Sequence, residues 1–123
     1  SSGNGGKKRK KQLDDTSLFH LHSEDKNKPL SMFHLATFYL EGRGVEQSYS
    51  EAVRLFREAA NQNCWEAANS LGICYALGNG VGRDGDEALR LFRAAADHGL
   101  AQAMCNVGVC YFRGIGVTVS VKD

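Results

Sequence analysis

The chain has 123 residues, 42% hydrophobic and 24% charged, the composition of one ordinary soluble globular domain. Its net charge of +1 conceals a division: residues 7–11, KKRKK, carry five positive charges, and the remainder holds 10 Lys and Arg against 14 Asp and Glu. That mildly acidic body argues against a nucleic-acid groove, no apolar run approaches membrane-spanning length, and a single proline argues against a loop-rich or all-β fold.

In chain order, SSGNGG (1–6) reads as linker, and residues 1–12 together as a disordered basic tail. KKRKK matches three uses, namely nuclear import, contact with anionic lipid and contact with nucleic acid, but a run of five is a weak signal and a solvated tail is the favoured reading. The following QLDDTSLFHLHSED is too polar for a signal-peptide core, so the chain shows no secretory signal. Residues 13–30 read as a capping helix and linker built on Leu13, Leu18, Phe19 and Leu21, or as a decayed earlier repeat. His20 and His22 fall on different helix faces, with too few neighbouring ligands for a metal. Ser23-Glu24-Asp25-Lys26 has the S-x-x-K form without a supporting S-D-N or K-T-G, and reads as chance.

From residue 31 the chain repeats itself. LATFYLEGRGV (35–45), LGICYALGNGV (71–81) and VGVCYFRGIGV (107–117) stand 36 residues apart, and EAVRLFREAANQN (51–63) matches EALRLFRAAADHG (87–99). Each half-repeat has helical period. Met32, Leu35, Ala36 and Tyr39 fall at i, i+3, i+4 and i+7, as do Ala68, Leu71, Gly72, Tyr75 and Met104, Val107, Gly108, Tyr111. In the second halves, Ala52, Leu55, Phe56, Ala59, Ala60 and Ala88, Leu91, Phe92, Ala95, Ala96 form the same stripe with one more residue, at i+8. Ala36, Gly72 and Gly108 are small enough for a partner helix to come close. Ser48 and Asp84 stand three residues before Glu51 and Glu87, the spacing of an N-cap and an acidic third position. The paired glycines between the helices fit a left-handed cap and a tight turn, with Val45, Val81 and Val117 plugging the turn into the core.

Gly80-Val81-Gly82-Arg83-Asp84-Gly85 also spells G-x-G-x-x-G. A phosphate-cradling loop needs a strand before it, and here a helix precedes it. Gly82 and Gly85 do not recur in the other copies, so the match is a coincidence of a helix–helix turn.

The pattern A-x-x-x-L-G-x-x-Y-x-x-G-x-G-V, a capping residue, then A-x-x-L-F-x-x-A-A resembles the Sel-one-like repeat family, related to tetratricopeptide repeats. The resemblance covers residues 31–117 and implies an all-α fold, an α/α solenoid of stacked antiparallel hairpins holding about 2.5 repeats (31–66, 67–102 and a truncated 103–123). It also implies a protein-binding scaffold or adaptor. The third copy stops where its second helix begins, so the end face at Met104, Val107 and Tyr111 is expected either to continue into further repeats or to pair with another chain, as in a homodimer. Some bacterial relatives carry one disulfide per repeat; the matching positions here are alanines, near 60 and 68, so that pairing is not expected. Cys64, Cys74, Cys105 and Cys110 are expected as buried free thiols, and His34 and His98 as solvated or half-buried side chains.

With Leu35, Leu71 and Val107 taken as core, the first-helix residues expected on a concave face are Phe33, His34, Thr37, Asn69, Ser70, Ile73, Cys105, Asn106 and Val109. They make a mixed polar and apolar surface suited to a peptide or partner helix, and their lack of lysine and arginine excludes a carboxylate clamp. The expectation is a non-catalytic interaction module, intracellular and either cytoplasmic or nuclear, with no metal, cofactor or small-molecule substrate. The alternative is a tether acting through KKRKK on nucleic acid or anionic lipid. A hydrolase is least favoured, because no Ser/His/Asp constellation or shared carboxylate pair stands out.

Overall fold

The computed structural model describes residues 28–117. The basic run, the 13–27 segment with its histidine pair, and the S-x-x-K stretch lie outside the described residues. Within them the chain forms five α-helices of 13 residues: α1 (Pro29–Glu41), α2 (Tyr49–Asn61), α3 (Trp65–Leu77), α4 (Gly85–Asp97) and α5 (Ala101–Arg113). No strand occurs among the described residues. α1 begins two residues ahead of the expected repeat boundary, because Pro29 supplies the preset φ and missing N–H that suit a helix's first turn.

Consecutive helices pack on one another, and α1 also touches α3. The buried stripe of α2 is Ala52, Val53, Leu55, Phe56 and Ala59; that of α4 is Ala88, Leu89, Leu91, Phe92 and Ala95. Val53 and Leu89 thus join the expected stripe, while Ala60 and Ala96 are half-buried. A second helix lies between two first helices, so its apolar arc is wider than the single face that period alone suggests. One core cluster spans α1 to α3 and reaches Leu91, Ala95 and Ala103; a second joins Ala88, Leu89, Phe92 and Cys110. The core is therefore a ladder running through the stack, as in a solenoid.

The small residues set how closely the helices approach. A Cβ at Gly72 would lie 2.6 Å from Phe92 Cε1, so the aromatic ring rests directly on the α3 backbone. At Gly108, the same repeat position, a Cβ would meet nothing within 4 Å. The expected close approach holds at Gly72 and finds no second partner at Gly108.

The turns repeat as closely as the helices. Ser48 N–H donates to Tyr39 C=O and Asp84 N–H to Tyr75 C=O, each at 2.9 Å. Gly80 has φ +76°, and a Cβ there would sit 2.6 Å from Tyr49 O, so the turn is wedged against the start of α2. Val45, Val81 and Val117 are half-buried, and the latter two pack on the core clusters. Ser48 Oγ accepts from Glu51 N–H at 3.2 Å and Asp84 Oδ1 from Glu87 N–H at 3.1 Å, so both N-caps form. The side chain of Asp84 therefore occupies the N-terminus of α4, where a phosphate would have to bind if G-x-G-x-x-G were functional.

Candidate partner-binding groove

α1, α3 and α5 are the first helices of successive hairpins, and the nine expected groove residues fall on them in three columns. Phe33, Asn69 and Cys105 share one repeat position, His34, Ser70 and Asn106 the next, and Thr37, Ile73 and Val109 a third. The columns are unequal in what they expose. Phe33 is half-buried, with its ring 6.0 Å from that of Phe56, so it belongs largely to the core. His34 is exposed and tilted against Phe33 at 5.3 Å, and Thr37 Oγ1 donates back to Phe33 C=O at 3.0 Å. Asn69 is only 5% exposed, and its Oδ1 accepts from Asn106 Nδ2 at 2.8 Å. This bond ties α3 to α5 across 37 residues of chain.

Five of the nine residues come together in one cleft. Asn69, Ser70, Ile73, Cys105 and Asn106 line it with Gln102, around a volume of about 360 Å³. A second cleft of about 270 Å³ shares Ser70 and Ile73 and continues along α3, lined also by Leu40, Tyr49, Cys74, Leu77 and Asn79. The groove is thus polar at the start of α3 and apolar at its end. Phe33, His34, Thr37 and Val109 line neither cleft, although Val109 is exposed. Gln102, Leu40, Tyr49 and Leu77 did not stand out in the sequence. Leu77 is 64% exposed, and its repeat equivalents are the charged Glu41 and Arg113.

The cysteines are all free thiols. Cys64, Cys74 and Cys110 are buried, and desolvation pushes their thiols above the ordinary range. Cys105 corrects the expectation of burial: it stands exposed in the first cleft, because it lies on the face of α5 opposite Cys110. His34 and His98 are exposed as expected, but His98 also stacks on Trp65, with ring centroids 3.9 Å apart and planes 12° from parallel. Among the described residues, no three His, Cys, Asp or Glu side chains gather as metal ligands, and no helix is long and apolar enough to cross a membrane.

The end face is open. Met104 is 52% exposed, Tyr111 49% and the neighbouring Phe112 89%, while Val107 is half-buried against the cluster of Ala88, Leu89, Phe92 and Cys110. The Arg93 guanidinium lies over the Tyr111 ring at 5.3 Å, as Arg57 lies over Tyr75 one repeat earlier.

Hairpins with a 36-residue period, Gly-x-Gly-Val turns and aromatic-on-glycine packing agree with the matching family model, Sel1 repeat, which aligns three times, at residues 29–64, 65–100 and 101–122. The chain belongs to the Sel1 repeat family. Solved structures similar to it include a protective antigen with an SLR fold from uropathogenic Escherichia coli (34% identity, TM-score 0.76, 84% of this chain and 22% of that one). A Sel1 repeat protein from Oxalobacter formigenes is 32% identical with TM-score 0.71, over 80% of this chain and 41% of that one. Cysteine-rich protein B of Helicobacter pylori, at 24% identity and TM-score 0.69 over 77% and 73%, shares the fold. The chain spans less than half the length of the first two. No curated protein matches it by sequence. Sel1 repeat proteins are generally non-enzymatic scaffolds that mediate protein–protein interaction.

Proposed function

We propose that this Sel1 repeat chain is a non-catalytic adaptor whose first-helix face, along α1, α3 and α5, holds a segment of a partner protein. The observation that carries this reading is a pair of adjoining clefts along α3 that share Ser70 and Ile73. A solenoid leaves one face of each hairpin uncovered, and here that face carries the two clefts. The test is a map of backbone amide shifts on adding a peptide selected on residues 1–123 from a random display library. Perturbations are expected along α3 and the facing turns of α1 and α5, and the double variant Ile73→Lys, Val109→Lys should abolish them. Perturbations confined to the outward faces of α2 and α4 would reject the reading.

A second reading has its own observation, the uncovered Gly108 with exposed Met104, Tyr111 and Phe112 beside it. On this reading the end face of α5 associates with another helix, in the simplest case one from a second copy. Light scattering across a concentration series is expected to show a dimer that Met104→Glu returns to monomer. A monomer at all concentrations counts against self-association. The tethering alternative depends on residues 7–11; neutralising KKRKK should then remove a salt-sensitive interaction and leave groove binding intact.

A further inference from the structure

We infer that the turn joining α1 to α2 is a seat for a guanidinium, built from the Tyr39 ring and the carboxylates of Glu46 and Glu51, and that its occupant is Arg9 of the chain's own basic run, KKRKK. The seat shares no residue with the two clefts of the first-helix face, so it is independent of the groove. Its copies further along the stack show what it holds. In the second repeat the Arg57 guanidinium lies 5.6 Å over the Tyr75 ring, and its Nη1 donates to the Tyr75 hydroxyl at 2.9 Å. In the third, Arg93 lies over Tyr111 at 5.3 Å. Tyr39 holds the same place in the first repeat, half-buried, and its hydroxyl has no partner among the described residues. One repeat before Arg57 the sequence has Leu21, which brings no cation. Arg54 pairs with Glu51 as Arg90 pairs with Glu87, so the two repeats differ only in the second guanidinium. The carboxyls register that difference. Glu87 is held below its ordinary value by the hydrogen bond from Arg90 and further by the charge of Arg57, whereas Arg54 alone acts on Glu51.

The seat is open and acidic. A cleft of about 650 Å³ lies against Tyr39, lined also by Val45, Glu46, Gln47, Ser48 and Glu51. Glu41, Glu46 and Glu58 stand where the second repeat has Leu77, Gly82 and Ala94, so this acidity belongs to the first copy. Arg43 pairs with Glu41 and Arg54 with Glu51 and Glu58, while Glu46 is exposed and has no ion pair among the described residues. A ring face, an accepting hydroxyl and a spare carboxylate suit a guanidinium better than an ammonium, because its planar fork stacks and donates at once. The run at 7–11 supplies one arginine among four lysines and no acid. Residues 12–27 separate it from Lys28, and Tyr39 stands about 17 Å further along α1. That linker covers about 24 Å even if wholly helical and roughly 55 Å if extended. Tethering also raises the effective concentration of Arg9 to the millimolar range, enough to fill a single exposed seat that a dilute arginine of another protein would leave empty.

The test compares backbone amide spectra of residues 1–123 with those of the same chain carrying Arg9→Gln, at low ionic strength and low protein concentration. The expected shifts fall on Tyr39 and residues 45–51, leave α3 and α5 unmoved, and fade as added salt screens the contact. In a Glu46→Gln background, Arg9→Gln should move those amides less than half as far, and in a Tyr39→Leu background hardly at all. If circular dichroism shows that Tyr39→Leu has lost its helices, Glu46→Gln, at an exposed position, carries the test. Trypsin gives an independent reading: cleavage after Arg9, followed by mass spectrometry, should be at least threefold faster in Glu46→Gln than in the parent. Coincident spectra, equal trypsin rates, shifts that resist salt or shifts on other helices overturn the inference. So do shifts that grow with protein concentration, which place the run on a second copy, and a seat that answers only to an added KKRKK peptide, which assigns it to an outside partner. Each of these outcomes leaves the first-helix reading standing.

Discussion

At the scale of single residues, repeat position and environment come apart, and the glycines show it best. Gly72 and Gly108 share one repeat position, in LGICY and VGVCY, yet one supports the Phe92 ring and a Cβ at the other would meet nothing within 4 Å. Gly72→Ala must displace Phe92 and should cost about 1–3 kcal/mol, the usual range for overpacking. Gly108→Ala meets nothing and gains helix propensity, and should stabilise by about 0.5–1 kcal/mol. Urea denaturation of the two variants checks both, and equal effects would mean that Phe92 does not rest on α3. The cysteines differ in the same way. A thiol-specific reagent should label the native chain with one equivalent, at Cys105, and the buried Cys64, Cys74 and Cys110 only on unfolding. Mass spectrometry of digested, labelled protein reads this directly.

Helix ends decide the most at the scale of elements. Ser48→Ala and Asp84→Ala each remove an observed cap and should destabilise by about 1 kcal/mol, measured as a lowered thermal midpoint. The acidic third positions do not close a reciprocal box with the cap. Glu51 instead pairs with Arg54, and Glu87 with Arg90 at 2.9 Å. Those hydrogen bonds hold both carboxyls below their ordinary value. A depressed folded-state value stabilises above the unfolded carboxyl's titration, near pH 4.3, and the gain is lost as pH falls through the folded value. Both pairs are largely exposed, so each contributes no more than about 0.5 kcal/mol. Stability measured against pH should therefore fall slightly more steeply below pH 4.5 in the parent than in Glu51→Gln, Glu87→Gln. Caps, turns and helical periods were legible because each depends on residues fewer than ten apart. The bond between Asn69 and Asn106 and the stack of Trp65 on His98 were not, since neither pair occupies matching repeat positions. The groove was legible in part. The helical phase picked out Ser70 and Ile73, but it could not show that Phe33 turns into the core, or that Tyr49 and Leu77 join the cleft from neighbouring turns.

For the molecule as a whole, stability should grade along the stack. α3 buries six residues between two hairpins, whereas α5 buries only Ala103 and Cys110. Amide hydrogen exchange should accordingly be at least tenfold less protected in α5 than in α3 at low protein concentration. Equal protection would mean that the α5 end is covered. The sequence by itself determined the period of 36 residues, the helical state of each half-repeat, the caps and the turns, because these are local properties that three copies state in nearly the same words. Their agreement also determined the solenoid, since repeated amphipathic hairpins can bury their faces only by stacking. Tertiary structure alone decided which equivalent positions are covered. The hairpins share a local code, but Gly72 has a helix above it and Gly108 has none among the described residues, and the amides of Asn69 and Asn106 meet only once α3 and α5 lie side by side. Burial depends on neighbours that are distant in the chain, and no local pattern records them.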